Sequence, residues 1–277
     1  MRRLWLSAVA AAILASPAIA ADIPVKAPLL KTPPPVIYTW TGCYLGGNAG
    51  WFGASQTAET VPLNNDGIFG ETTTSHNLGG SGAIGGAYAG CNWQAGQMVV
   101  GGEGDLEFLR RDNSNTQFSS ETLGAPPGIP NYVATSSASN NWLGSLRGRV
   151  GFTTGQWLLY ATGGAAWTRT SHAVLVTGIP TAAQGPNSDI AATAFSADKS
   201  GFTVGAGVER MLAPNWSVRL EYLYYRFGGS SSAAFAPPVC TGNAPPCSWV
   251  GNWSNLSINT VTVGVSYKFG APVVAGY

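Results

Sequence analysis

Charge is scarce in this sequence. Asp, Glu, Lys and Arg make up 10% of its 277 residues, and 14 cations stand against 13 anions. Two of those cations, Arg2 and Arg3, sit in a leader, so the remainder is close to neutral and lacks the basic excess that holds a nucleic acid. Histidine and cysteine are also sparse, with two and four copies. They are scattered at spacings that match no metal centre, and no cofactor is expected. Downstream of the leader no apolar run approaches the ~20 residues that a membrane-spanning helix needs. What the chain has instead is glycine (37 residues) and aromatic side chains (11%).

The start reads as an export signal. Arg2 and Arg3 precede an apolar stretch from Leu4 to Leu14, and Ala18-Ile19-Ala20 supplies the small-residue cleavage pattern, which predicts cleavage after Ala20. Residues 21–39 are proline-rich, with Pro33, Pro34 and Pro35 in a row, and predict an extended periplasmic linker. A passive spacer is the simpler expectation for it; cell-wall contact through Lys26 and Lys31 is the alternative. Export, low charge and no spanning helix suit a strand protein of the outer membrane better than a cytosolic enzyme.

From Trp40 onward, eight segments have the two-residue period of a strand: Thr41–Ala54, Gly82–Gln94, Met98–Arg110, Trp142–Thr153, Trp157–Thr168, Phe202–Leu212, Trp216–Phe227 and Ser257–Phe269. Each reaches the ~9–11 residues of a tilted membrane strand. Their connections alternate. Ala95-Gly96-Gln97, Thr154-Gly155-Gln156 and Ala213-Pro214-Asn215 are tight, whereas the others run to roughly 30 residues. Short turns at one end and long loops at the other predict an all-β fold: an eight-stranded antiparallel up-and-down transmembrane β-barrel at residues 40–269, with four long extracellular loops, short periplasmic turns and a tail at 270–277. An immunoglobulin-type sandwich would not place a long loop at every second connection.

The two faces of each strand differ. In the last one Val261, Val263, Val265, Tyr267 and Phe269 share a parity, and Thr260, Thr262, Gly264, Ser266 and Lys268 share the other. Mid-strand charges keep to the second face: Glu103, Asp105 and Glu107; Arg147 and Arg149; Glu209; Arg219 and Glu221. The exceptions, Arg110, Arg210 and Arg226, lie near strand ends, where a long cation reaches the headgroup region. A lipocalin-like soluble barrel would reverse the faces. Trp93, Trp157 and Trp216 flank the tight turns and Phe269 closes the last strand, the placement of an interfacial girdle. The charged face is therefore expected to be the lumen.

The stretches WTGCYLGGNAGW, GGAYAGCNWQ, SLRGRVGFTTGQWLLYATGGAAW, FTVGAGVERMLAPNWSVRLEYLYYRFG and NTVTVGVSYKF resemble the small outer-membrane β-barrel family of Gram-negative bacteria, the porin-family surface antigens related to opacity-protein and OmpA-like transmembrane domains. The mature start AADIPVKAP and the proline run into WTGCYLGG are most similar to the outer-membrane immunogenic proteins of alphaproteobacteria. The resemblance implies both termini in the periplasm and a porin-like or structural surface role. It also implies outer-membrane lipid and lipopolysaccharide as surroundings, and insertion by the barrel-assembly machinery. The chain departs from the pattern at Cys43, where an aromatic is usual, and in the tail after Phe269, so either Phe269 or Tyr277 is the aromatic that this machinery reads.

Three constellations bear on chemistry. Glu103, Asp105, Glu107, Arg147, Arg149, Glu209, Arg219, Glu221 and Lys268 would form a lumen charge network, either a selective constriction or ion pairs filling the barrel. Eight strands leave an interior just wide enough for side chains, which favours the filled barrel over a small porin. Cys240 and Cys247 bracket a short loop and predict a surface disulfide; for Cys43 and Cys91, a cross-strand bridge and two free thiols facing lipid both remain open. Lastly, Ser75–His76 and Ser171–His172 in the long loops are the only serine–histidine neighbours a lipid-modifying enzyme could use. Adjacent residues of an extended chain point apart, so no catalytic role is expected. The loops themselves, rich in Ser, Thr, Asn, Gly and Ala, are expected to be solvated surface, with adhesion or antigenic display as the alternative.

Overall fold

The structure is a computed structural model that describes residues 38–62, 74–111, 132–178, 190–229, 231–235 and 249–269. The chain divides into two compact units, Met1–Pro34 and Pro35–Tyr277, and every described residue belongs to the second. The predicted signal with its cleavage point at Ala20, the linker up to residue 37, and the tail with Tyr277 lie outside the described residues.

Ten strands are present among the described residues: β1 (Gly42–Pro62), β2 (Thr74–Ala95), β3 (Met98–Arg111), β4 (Tyr132–Thr154), β5 (Trp157–Gly178), β6 (Ile190–Ala213), β7 (Trp216–Phe227), β8 (Ser231–Phe235), β9 (Trp249–Trp253) and β10 (Leu256–Lys268). Strands β1 to β7 pair antiparallel in chain order, β7 pairs with β10, and β10 returns to β1 from Tyr44↔Lys268 to Ser55↔Ser257. That last pairing closes eight strands into a barrel, so the wall presents no free sheet edge to lipid. The β8–β9 hairpin continues the wall beyond β10, with β9 pairing to the far end of β1 from Ala58↔Trp253 to Pro62↔Trp249.

Turn chemistry fixes one end. Gly96 and Gly155 hold φ of +61° and +60°, which L side chains rarely adopt, and each opens a two-residue turn with the following glutamine. At the other end the strands run further than periodicity predicted. β1 continues to Pro62, β2 begins at Thr74, β4 at Tyr132 and β6 at Ile190, and β5 reaches Gly178. His76 and His172, expected in loops, therefore lie in β2 and β5. Outside lipid, a strand needs its hydrogen-bonded ladder but no apolar face, so polar stretches such as Ser136-Ser137-Ala138-Ser139 extend the sheet without the alternation that marks the wall.

Side chains alternate across that wall. On β5, Trp157, Leu159, Ala161, Ala165 and Trp167 face out, and Leu158, Tyr160, Thr162 and Thr168 face in. Trp93, Trp157, Trp216 and Phe269 form an outward aromatic ring at the turn end, and Trp51, Phe108, Trp167 and Phe202 form a second ring toward the loop end. Trp157 and Trp167 are ten positions apart on one strand. At a rise of ~3.3 Å per residue and a tilt of ~40°, that spacing gives a band of ~25 Å, the height of the apolar belt on an outer-membrane barrel.

Candidate functional site

The interior is filled in three layers. Nearest the loop end, Phe52, Ile84, Leu143, Leu223, Phe227 and Ile258 pack into an apolar cluster inside the barrel. At the turn end Trp40, Val99, Leu158, Tyr160 and Met211 form another, with Tyr38 against it. Trp40 is brought in by the segment that precedes β1. Its indole Nε1 donates to Thr153 Oγ1 at 2.7 Å and its backbone amide to Gln94 Oε1 at 2.8 Å.

Between these clusters lies a belt of charge. Arg147 is its hub: Nη2 lies 2.7 Å from Glu103 Oε1 and 3.1 Å from Asp105 Oδ2, and Nη1 lies 3.1 Å from Glu221 Oε1. Arg149 Nη2 meets Glu209 Oε2 at 2.9 Å, and Arg219 Nη1 meets Glu103 Oε2 at 2.5 Å. These groups come from β3, β4, β6 and β7, and none of their side chains is more than 5% exposed. Hydroxyl donors complete the carboxylates. Tyr44 donates to Glu103 at 2.7 Å, Tyr160 to Glu221 at 3.0 Å and Ser217 to Glu209 at 2.6 Å, while Ser145 donates to Asp105. Two guanidinium groups also lie over tyrosine rings, Arg219 at 3.4 Å from the Tyr88 centroid and Arg149 at 3.9 Å from that of Tyr160.

Eight of the nine residues expected in a lumen network are thus inside the barrel, and Lys268 stands apart. Its ammonium donates to the Thr39 carbonyl at the turn end, since it is the last inward-facing residue of β10. Glu107 is inside but meets no arginine; its Oε1 accepts from Asn48 Nδ2 at 2.6 Å. Parity in the sequence did not single out the tyrosines or Asn48. The signal for the tyrosines lies in the register: Tyr44, Tyr88 and Tyr160 stand directly opposite Gly90, Gly46 and Gly207. A Cβ at Gly46 would lie 2.3 Å from the Tyr88 ring, so this ring needs a glycine beside it.

Cys43 and Cys91 are register partners on β1 and β2 and form a disulfide, which settles the two alternatives in favour of the bridge. Cys240 and Cys247 lie outside the described residues.

Above the loop-end ring, His172 packs against Phe195 and Trp253, with ring centroids 5.2 Å and 4.8 Å away. This cluster joins the extended β5 and β6 to β9. Burial, reinforced by the Lys199 charge, pushes the His172 imidazole down to about 4. Ser171, its neighbour, faces the other side of the strand and pairs with Ser196 at 3.0 Å, so the two do not form a nucleophile and base. The side chains of Ser75 and His76 are outside the described residues. On the same strands, between the loop-end ring and His172, Arg169 and Asp198 form an exposed pair with bonds of 2.6 and 2.9 Å, and this bond holds the Asp198 carboxyl below its ordinary value.

A closed antiparallel barrel with an apolar band between aromatic rings and its charges inside is a membrane-spanning β-barrel. The sequence pattern of the outer membrane protein beta-barrel domain family matches residues 7–269, and the chain belongs to that family. It is similar to the 31 kDa outer-membrane immunogenic protein of Brucella melitensis, at 29% identity over 97% of this chain and 100% of the relative. With the 22 kDa outer membrane protein of Rhizobium leguminosarum it shares 32% identity, over 67% of this chain and 64% of that protein. Among solved structures, the outer membrane protein OprG of Pseudomonas aeruginosa aligns with a TM-score of 0.45 at 10% identity, covering 86% of this chain and 100% of that one. The protein resides in the outer membrane.

Proposed function

We propose that the protein is a structural, surface-exposed component of the cell envelope whose barrel carries no solute. One observation supports this above the others: apolar clusters lie on both sides of a belt whose arginines are all paired. A path for water or ions would have to break both clusters and separate buried ion pairs. The outward face contacts lipid and, beyond the loop-end ring, lipopolysaccharide, with Arg110 and Arg226 exposed there. Strand extensions beyond that ring would act as a scaffold that lifts the loops from the membrane for display or adhesion. Phe269, exposed at the turn end, or the terminal Tyr277 would serve as the aromatic read by the assembly machinery, and the linker would act as a spacer or touch the cell wall.

A small porin is the second reading. The belt holds more carboxylates than guanidinium groups, which would suit a cation path. Proteoliposomes of the refolded chain placed in an iso-osmotic small sugar or salt test both: no swelling is expected, and rapid swelling would overturn the closed barrel. A lipid-modifying activity is the third reading and is disfavoured because Ser171 and His172 face opposite sides of β5. Cells lacking or overproducing the protein should keep an unchanged lipid acyl pattern; a change that depends on His172 would reinstate the enzyme.

A further inference from the structure

Tight turns set the register of β2 on β3, β4 on β5 and β6 on β7, whereas longer connections join β1 to β2, β3 to β4, β5 to β6 and β7 to β10 and leave the register open. Three of those four junctions carry a side-chain pair that reads it. Glu103 faces Arg147 across β3 and β4, Arg169 faces Asp198 across β5 and β6, and the Trp216 and Tyr267 rings meet across β7 and β10. The facing positions of β1 and β2 offer no such pair in the wall. From Gly42↔Asn92 to Ser55↔Gly79, every facing pair except Cys43↔Cys91 includes a glycine or an alanine, and neither strand carries a charge there. The Tyr44 and Tyr88 rings meet only on the diagonal, at 6.3 Å.

Glycine-rich strands hold their register weakly. A two-residue slide of β1 keeps each side chain on its own face and sets Gly46 opposite Gly90 and Gly50 opposite Gly86, small residue against small. The contacts that do read the position of β1 run across the lumen. Tyr44 donates to Glu103 and Asn48 to Glu107 on β3, and Tyr88 lies against Gly46 with the Arg219 guanidinium of β7 over its ring. They exist only once the interior is packed. β10 closes on the same place: the Phe269 amide donates to the Cys43 carbonyl at 2.8 Å, so a shifted β1 carries its shift into the closure.

The two sulfurs lie on the lipid side. Cys43 and Cys91 face outward, and Cys91 stands two positions from Trp93 of the turn-end aromatic ring, toward the apolar band. Within lipid a thiolate is costly and a protein oxidant has no access. We propose that the Cys43–Cys91 disulfide is a register clamp, made in the periplasm before the barrel enters the membrane, that fixes β1 on β2 where no other facing pair does. One thiolate attacks the disulfide of a periplasmic protein oxidant, and the second displaces that oxidant from the mixed disulfide. Two electrons and two protons pass to the oxidant, which leaves as a dithiol. The clamp does not depend on whether the lumen conducts.

The test uses the mature chain with Cys240→Ser and Cys247→Ser, so that only the chosen cysteines react. Refolded with the bond in place it should give a single heat-modifiable gel band, and Cys43→Ser/Cys91→Ser a several-fold lower yield of that band. In this serine background, kept under reductant until folded and then treated with a lipid-soluble oxidant, Gly47→Cys/Ala87→Cys reports the native register and Gly47→Cys/Ala89→Cys the slid one. Both pairs should cross-link; cross-linking of the native pair alone would overturn the clamp. Forming the bond of Gly47→Cys/Ala87→Cys before refolding should restore the yield, and forming that of Gly47→Cys/Ala89→Cys should not. Rescue by both or by neither would overturn the register role, and this comparison decides even if the serine variant fails to fold. In cells, alkylation of pulse-labelled chains should find Cys43 and Cys91 already bridged in the unfolded periplasmic form. Free thiols there, with the bond present only in the folded barrel, would overturn the order of events.

Discussion

At the scale of the residue, the interior is set by contacts that tolerate little change. Replacing Arg147 with alanine leaves Glu103, Asp105 and Glu221 buried without their shared cation. Breaking a buried pair from one side costs about 3–5 kcal/mol, and the urea midpoint of the folded barrel in vesicles should fall accordingly; an unchanged midpoint would show the belt to be hydrated. Gly46→Ala drives a Cβ into the Tyr88 ring, whereas a Cβ at Gly53 meets nothing within 4 Å. The first should destabilise by about 1–3 kcal/mol and the second should be nearly neutral in the same unfolding series. Equal effects would contradict the packing. Much of this scale was legible in advance, because a two-residue period assigns Glu103, Arg147 and Arg219 to one face without knowledge of any partner. The partners themselves were not, since pairing depends on register. Only register shows that Glu107 meets Asn48 rather than an arginine, that Lys268 lies beyond the belt, and that Tyr88 needs the glycine opposite.

Elements behave differently on the two sides of the loop-end aromatic ring. Between the rings, lipid on one face and a packed lumen on the other impose alternation, and the membrane portions of all eight barrel strands can be read from it. Beyond the ring the outward face meets water rather than lipid, so the contrast of apolar and polar residues fades from the sequence, although inward residues such as Gln56, Ala58, Thr170 and His172 stay buried. Among the described residues, the His172, Phe195 and Trp253 cluster joins β5, β6 and β9 there. A histidine whose folded value of about 4 lies below its ordinary 6.5 binds fewer protons folded than unfolded between those limits. The junction is therefore fully stable above about pH 6.5 and weakens as pH falls toward 4. Hydrogen exchange of peptides covering His172 and Trp253 should accelerate over that window, and His172→Phe should remove the dependence. Acceleration on raising the pH beyond the ordinary base-catalysed rate would contradict it.

For the whole molecule, closure of β10 onto β1 and the filling of the interior follow from the same sequence property, alternation of small or apolar residues with charged and hydroxylated ones. Alternation indicated the barrel and the side of its charges; it did not show the apolar cluster at each side of the charge belt. The loop-end cluster uses Phe52, Ile84, Leu143 and Ile258, whose inward parity places apolar side chains where a water-filled barrel would be polar. The turn-end cluster depends on Trp40, which belongs to no strand. Single-channel recording of the refolded chain in a planar bilayer tests the proposed closed lumen most directly. No discrete openings are expected from the wild type. Reproducible openings whose size or ion preference shifts in Asp105→Ala and Arg147→Ala would contradict a barrel sealed by its own side chains.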